Sequence, residues 1–226
     1  MRTERLLLIV LLGALLAPRA GAAPAWTEGR DYFVITPPQP TNVAPGKIEV
    51  LEVFSYGCPA CNAFQPTLAR LEKSLPANAQ LAYLPASFIP SEDWPMFQRA
   101  YFAAQALGIA ARTQKEMYAA VWKSGELATS DPQTHRLKSP QPSLEDAARC
   151  YARWTGVKPE EFLAVAHSFT VDMKMRAADA QIQAMQVPGT PCIVVNGHYR
   201  VNDESVHGAE QLIALVRYLI GKDSAH

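Results

Sequence analysis

The stretch KIEVLEVFSYGCPACNAFQPTLARLEKS, residues 47–74, changes its period halfway along. Lys47 to Phe54 is apolar and rich in β-branched residues, which reads as a buried strand. From Pro59 to Ser74 the apolar residues Phe64, Leu68, Leu71 and Leu75 recur at three- and four-residue steps, the spacing of a helix with one core-facing side. Pro59 suits the first helical turn, where its missing N–H costs nothing. Cys58 and Cys61 fall at the junction, and they are two of only four cysteines. Such a C-x-x-C pair can grip a metal, brace a loop or trade electrons with other thiols, so the rest of the chain must decide.

Working outward, Leu81 to Ala86 reads as a second strand, weakened by its internal Pro85. Strand, helix and strand at this spacing form a right-handed βαβ unit. Upstream, Tyr32 to Ile35 carries a short strand signal, followed by a Pro-rich connector. Downstream, from about Ser91 to Met185, the chain is Ala-rich with few strand signals. Helices are predicted near 93–107, 113–123, 144–155, 159–168 and 171–184. Ser143-x-x-Asp146 reads as a capping box opening the third of these, with Gly156 closing it. Strand character returns at Cys192 to Val195 and Tyr199 to Val201, flanking Asn196-Gly197, the signal of a two-residue hairpin turn. A last amphipathic helix is predicted from Ala209 to Ile220, with Gly221 as its stop. The fold class is α/β, a βαβ half (23–90) and a ββα half (186–226) interrupted by a helical insertion (91–185).

Composition excludes several functions. The 226 residues are 49% hydrophobic and 19% charged, ordinary for a globular protein, and the formal net charge is zero. No electrostatic case exists for binding nucleic acid or an anionic membrane surface. The first residues, MRTERLLLIVLLGALLAPRAGAA, read as a signal peptide. Arg2 and Arg5 form its basic start, and the apolar run from Leu6 to Ala17 is shorter than the ~20 residues a spanning helix needs. Ala20-Gly21-Ala22 offers small residues for cleavage after Ala22, with Ala25 as another possible point. The expected product is a soluble protein exported to the periplasm, an oxidising compartment where disulfides persist. Four cysteines are too few for a disulfide scaffold, and a working redox pair fits better.

At the start of a helix, unpaired N–H groups and the helix dipole favour a negative sulfur on Cys58. The dipole alone is worth about 1 kcal/mol, less than one pH unit of acidity. Cys61 lies one turn later and can close a small disulfide ring with Cys58. A thiolate-stabilised reduced pair makes the disulfide a stronger oxidant.

The strand–CPxC–helix start, the late VPGTP segment (187–191) and the helical insertion together resemble the DsbA family of periplasmic oxidases, on a thioredoxin fold. The resemblance extends to EGRDY (28–32) and PCIVVNGHYRV (191–201). It implies that Cys58 is an exposed nucleophile forming a mixed disulfide with a client, and that Cys61 resolves it. It further implies that Pro191 is cis beside the pair and that Thr190 offers backbone groups to an extended client, with Tyr56, Pro59 and Ala60 completing the client surface. An X–Pro bond is the only kind that adopts cis at low cost, and the sequence alone does not choose the isomer.

Alternation along 47–54 places Glu52 on a face with Ile48, Val50 and Phe54. A carboxyl there would hold its proton more tightly and could accept the Cys61 proton, a role the family gives to a buried acid six residues before the nucleophile; the other reading is a carboxylate reaching solvent at a sheet edge. The family commonly has histidine where this chain has Ala60, so a higher Cys58 pKa and a weaker oxidant are expected than in a Pro-His version. Cys150 and Cys192 are expected to be buried free thiols, with a second disulfide as the alternative.

A structural zinc site lacks two further ligands, since His198 and His207 read as turn residues. A disulfide isomerase of the same fold would need an N-terminal dimerisation domain that the short segment before Lys47 cannot supply, so a monomer is expected. A disulfide reductase and a non-catalytic peptide-binding chaperone are the other readings. Reoxidation by a DsbB-type quinone-linked membrane protein is implied by the resemblance alone, and no organic cofactor or metal is required.

Overall fold

The computed structural model describes residues 26–131, 133, 134 and 136–224, so the expected signal peptide lies outside the described residues. Strands β1 (Tyr32–Val34) and β2 (Ile48–Phe54) lead into helix α1 (Pro59–Ser74) and strand β3 (Ala79–Pro85). Five helices follow: α2 (Trp94–Ala106), α3 (Ala110–Trp122), α4 (Leu144–Thr155), α5 (Pro159–Ala166) and α6 (Phe169–Ala184). Strands β4 (Cys192–Val195) and β5 (Tyr199–Val201) and helix α7 (Ala209–Asp223) complete the chain.

The sheet runs β1-β5-β4-β2-β3. β3 lies parallel to β2, with Glu52 opposite Tyr83, and β4 pairs antiparallel to β2, with Glu52 opposite Ile193. All seven residues of β2 are buried, because helices cover both faces of the central strand. On one face Ile48 and Val50 pack with Leu68 and Leu71 of α1 and with Leu212, Leu215 and Leu219 of α7. Leu51 and Val53, on the opposite face, belong with Phe54 and Tyr56 to the cluster that holds Phe97, Tyr101 and Tyr118 of the inserted helices. Burying each such side chain contributes about 1.5–3 kcal/mol. Pro85 is tolerated because β3 is an edge strand.

Three local readings needed correction. The β4–β5 turn has three residues, not two: Val195 pairs with Tyr199, and the His198 N–H donates to the Val195 carbonyl at 3.0 Å. The connector after β1 takes up the turn's carbonyls, with Ile35 N–H on His198 (2.7 Å) and Gln39 N–H on Gly197 (2.9 Å), which holds His198 outside the ladder. Helix α7 passes through Gly221 to Asp223, whose carboxylate is bound by Asn196 (2.6 Å) and lies 3.3 Å from His198. Helix α3 begins at Ala110, ahead of the predicted Thr113. The Ser143–Asp146 capping box and the left-handed Gly156 that ends α4 are both present.

Candidate active site

The first turn of α1 shows why the two cysteines are three residues apart. Cys58 is the N-cap residue, and its sulfur accepts the N–H of Cys61 at 3.2 Å, as an oxygen does in an ordinary cap. Sulfur is a weak acceptor when neutral and a much better one when charged, so this cap favours the thiolate. The loop before it is fixed by its own hydrogen bonds. Cys58 N–H donates to the Ser55 carbonyl (3.1 Å), and Gly57 N–H donates to Ser55 Oγ (3.1 Å). Helix α3 clamps the same loop twice: Trp122 Nε1 donates to the Tyr56 carbonyl (2.8 Å), and the Tyr56 hydroxyl donates to Gln114 Oε1 (2.6 Å). Gly57 has no room for a side chain, since a Cβ there would lie 2.8 Å from Trp94 Nε1.

Opposite the pair, the Thr190–Pro191 peptide is cis, as are Thr36–Pro37 and Ser139–Pro140. Cys58 Sγ lies 3.4 Å from the Thr190 carbonyl oxygen, to which it can donate only while protonated. All four cysteines are free thiols, so the structure describes the dithiol form.

The two sulfurs differ sharply in acidity. The Cys61 thiol is the largest cause lowering Cys58 from an ordinary 9.0 to about 6, helped by the Thr190 side chain and the N–H groups of Cys61 and Ala60; burial opposes the change. Burial, and then the hydrogen bond and charge of Cys58, push Cys61 far upward. One sulfur is a thiolate at neutral pH while its neighbour holds its proton. Burial pushes Cys192 up to about 12 and Cys150 up to about 11, so neither competes as a nucleophile.

Glu52 is fully buried, which excludes the solvent-reaching alternative. Neither carboxylate oxygen has a hydrogen-bond partner. Burial first, and the Cys58 charge second, raise its pKa well above the usual carboxylate range.

Tyr56 departs from the expected client surface. It is 1% exposed, with its ring packed edge-on against Phe54, Phe97 and Tyr118, so it fixes the loop from below. Cys58, expected to be exposed, retains only 3% of its surface because the cap, the loop and Thr190 close around it. Pro59 and Ala60 are exposed, and Thr190 and Pro191 are half-buried. Sequence reasoning missed four aromatic neighbours: Tyr83, Tyr101 and Tyr118, on which the Glu52 charge acts, and Trp94 against Gly57. Only Tyr83 left a signal, since parallel pairing of the two predicted strands sets it opposite Glu52. It also missed Glu49, a second buried acid whose Oε1 accepts the Asn42 N–H at 2.7 Å. Among the described residues no cluster of three or more His, Cys, Asp or Glu side chains could hold a metal ion.

A low-pKa thiolate at a helix start, a buried partner thiol one turn on and the Thr190 carbonyl 3.4 Å from the first sulfur are equipped for one kind of chemistry, exchange between dithiols and disulfides. The molecule is a protein thiol:disulfide oxidoreductase. Relatives agree. A model of the DSBA-like thioredoxin domain matches residues 49–219. The thiol:disulfide interchange protein DsbA of Pseudomonas aeruginosa is 32% identical over 97% of this chain and 96% of its own length. That of Burkholderia cepacia is 30% identical, covering 92% and 91%. Among solved structures, the oxidoreductase DsbA of Xylella fastidiosa superposes with a TM-score of 0.75 at 31% identity, covering 90% of this chain and all of its own. Pseudomonas aeruginosa DsbA gives 0.72 at 33%, covering 88% and 95%. The chain belongs to the DsbA family, and its α/β architecture is the DsbA-like thioredoxin fold with inserted helices.

Proposed function

We propose that this oxidoreductase works as a donor, passing a Cys58–Cys61 disulfide to newly exported proteins in the periplasm after cleavage of a signal peptide spanning residues 1–22. A client thiolate attacks Cys58 Sγ, the bond to Cys61 breaks, and Cys61 leaves as a thiolate that takes a proton from Glu52. A second client thiolate then attacks the client sulfur of the mixed disulfide, releasing an oxidised client and the Cys58 thiolate. Thr190 and cis-Pro191 present backbone to the extended client, and the exposed Pro59 and Ala60 border it. In reoxidation by a DsbB-type quinone-linked membrane partner, Cys61 attacks a mixed disulfide at Cys58 and Glu52 takes the proton back. The protein acts as a monomer, and the electrons move through the sulfurs without a further cofactor.

The observation that carries this reading is the acidity of Cys58, lowered to about 6, beside a Cys61 pushed far the other way. A stabilised thiolate makes the dithiol a good leaving state and its disulfide easy to give away. The test is trapping on a reduced cysteine peptide. Oxidised wild-type protein should return an oxidised peptide at one disulfide per molecule. The Cys61→Ala variant, first loaded at Cys58 with a chromogenic aryl disulfide, should pass to a stable mixed disulfide with the peptide. A Cys58→Ser variant that still oxidises the peptide would overturn the assignment.

A further inference from the structure

Next to the nucleophile loop the inserted helices present an aromatic shelf. Trp94, the first residue of α2, is 4% exposed, and its indole closes on Gly57, where a Cβ would lie 2.8 Å from Nε1. Phe88 leans on Trp94 with ring centroids 6.4 Å apart, yet 42% of its surface stays open. The Trp94 N–H also donates to Glu92 Oε2 at 3.2 Å, which fixes a carboxylate at the edge of the rings and close to the residue before Cys58. Hydrogen bonds hold the segment from both ends: Ser87 Oγ donates to Asp179 (2.9 Å), and Gln141 Nε2 donates to the Ser91 carbonyl (2.7 Å). The shelf is therefore formed before anything binds, and the cost of ordering falls on the incoming chain.

The charge on this shelf is not matched within the molecule. Among the described residues no lysine, arginine or histidine pairs with Glu92, although that residue is half-buried. An open ring with a carboxylate at its rim fits a long side chain that ends in a cation. The methylenes cover the ring, and the cation meets the ring face and the carboxylate together. An apolar residue would use the ring alone, and an acidic one would be repelled. We propose that Phe88 and Glu92 form a client-selecting site that takes a lysine or arginine about two residues from the cysteine being oxidised, within reach of an extended chain at ~3.3 Å per residue. The proposal rests on the donor reading above, in which that cysteine attacks Cys58 while Thr190 and Pro191 hold the client backbone.

The groups that act most on the Cys58 sulfur are Cys61, Thr190 and the Ala60 N–H, and none belongs to the shelf. Phe88 and Glu92 therefore act on which client is held and not on how readily Cys58 reacts. The two effects separate in a ratio of rates for two clients, in which the reactivity of the sulfur cancels.

The test uses paired reduced single-cysteine peptides that differ only in a lysine or a glutamine placed two residues before, or two residues after, the cysteine. Each peptide, in excess, discharges the Cys58–Cys61 disulfide, and its rate is divided by its own rate on glutathione disulfide to remove differences in thiol acidity. Wild-type protein should favour lysine roughly three- to tenfold at low salt in one of the two placements, falling towards parity at about 1 M salt. Glu92→Gln keeps an oxygen for the Trp94 N–H and should bring the ratio close to one. Phe88→Ala should lower the ratio roughly twofold or more by removing the ring under the cation. A wild-type ratio near one at low salt, a preference indifferent to salt, or a ratio that E92Q or F88A leaves intact would each overturn the site. If neither peptide discharges the wild-type disulfide, the donor reading fails by itself. The ratio is then taken for the reduced protein acting on the same peptides as glutathione mixed disulfides, where a lysine preference supports the site and parity overturns it.

Discussion

The acidity of Cys58 should depend more on its partner's thiol than on the helix that follows it. The Cys61 thiol is the largest cause of the fall from 9.0 to about 6, ahead of Thr190 and the backbone N–H groups. A hydrogen bond to a charged group is worth about 1.5–3 kcal/mol, which corresponds to roughly one to two pH units. Cys61→Ala deletes the donor and should raise the Cys58 pKa by that amount, while Cys61→Ser restores a donor and should stay within about half a unit of wild type. The whole fall corresponds to about 4 kcal/mol before solvent screening, but at neutral pH, about one unit above the lowered value, no more than about 1.4 kcal/mol of it acts as stabilisation of the dithiol form, and screening beside the exposed Pro59 and Ala60 cuts that further. The sign follows from a pKa lowered on folding. The stabilisation is complete above the ordinary value of 9.0 and is lost as pH falls through about 6. Thiolate absorbance against pH reads the titration directly, and alkylation rates give an independent curve. A Cys61→Ala protein still titrating at about 6 would refute the partner-thiol explanation and leave the helix start as the cause.

Further outcomes follow from the same geometry. Ala60→His places a cation on the exposed second position of α1, and about 1–2 kcal/mol of thiolate stabilisation should make the disulfide roughly 20–40 mV more oxidising; no change, or one in the other direction, contradicts the reading of Ala60. Glu52→Gln removes a buried carboxylate whose pKa is raised on folding, a group that costs stability increasingly as pH climbs above the ordinary 4.5. Denaturant unfolding of the wild type should therefore lose about 1–3 kcal/mol toward alkaline pH relative to E52Q, and parallel pH profiles would dispose of the idea. Gly57→Ala drives a methyl to 2.8 Å from Trp94 Nε1, so unfolding stability should drop by about 1–3 kcal/mol and the Trp94 fluorescence should shift. A variant as stable as wild type would show that the loop has slack.

How much of this was readable in the sequence depended on how local each cause is. The strand–helix junction was legible because period, Pro59 and the cysteine spacing are all set within a few residues; α1 came out at the bounds the pattern gives. The capping box and Gly156 around α4 were legible for the same reason. The end of α7 was not, because Gly221 is a local stop signal overridden by Asn196 and His198, which reach Asp223 from the turn. Glu52 could be placed on an apolar face, but alternation cannot tell that both faces of β2 are covered, so Glu49 went unnoticed. The tyrosines around Glu52 arrive from β3, α2 and α3, and no short-range pattern in an Ala-rich helix announces which of its residues will meet a distant strand. Tyr56 was misjudged for a related reason, since its neighbour Cys58 belongs to the active site while its ring belongs to the core.

The account stands most directly on the potential of the Cys58–Cys61 pair, measured by equilibrating the protein with defined ratios of reduced and oxidised glutathione. Known values of about −270 mV for thioredoxin and about −120 mV for the DsbA oxidant bracket the expectation. Those proteins have nucleophile pKa values near 7 and 3.5, and Cys58 at about 6 falls between them. At about 30 mV per 1.4 kcal/mol, a potential of roughly −240 to −190 mV is predicted, that of a donor weaker than a Pro-His member of the family. A value at or below that of thioredoxin would contradict the donor role and make the protein a reductant.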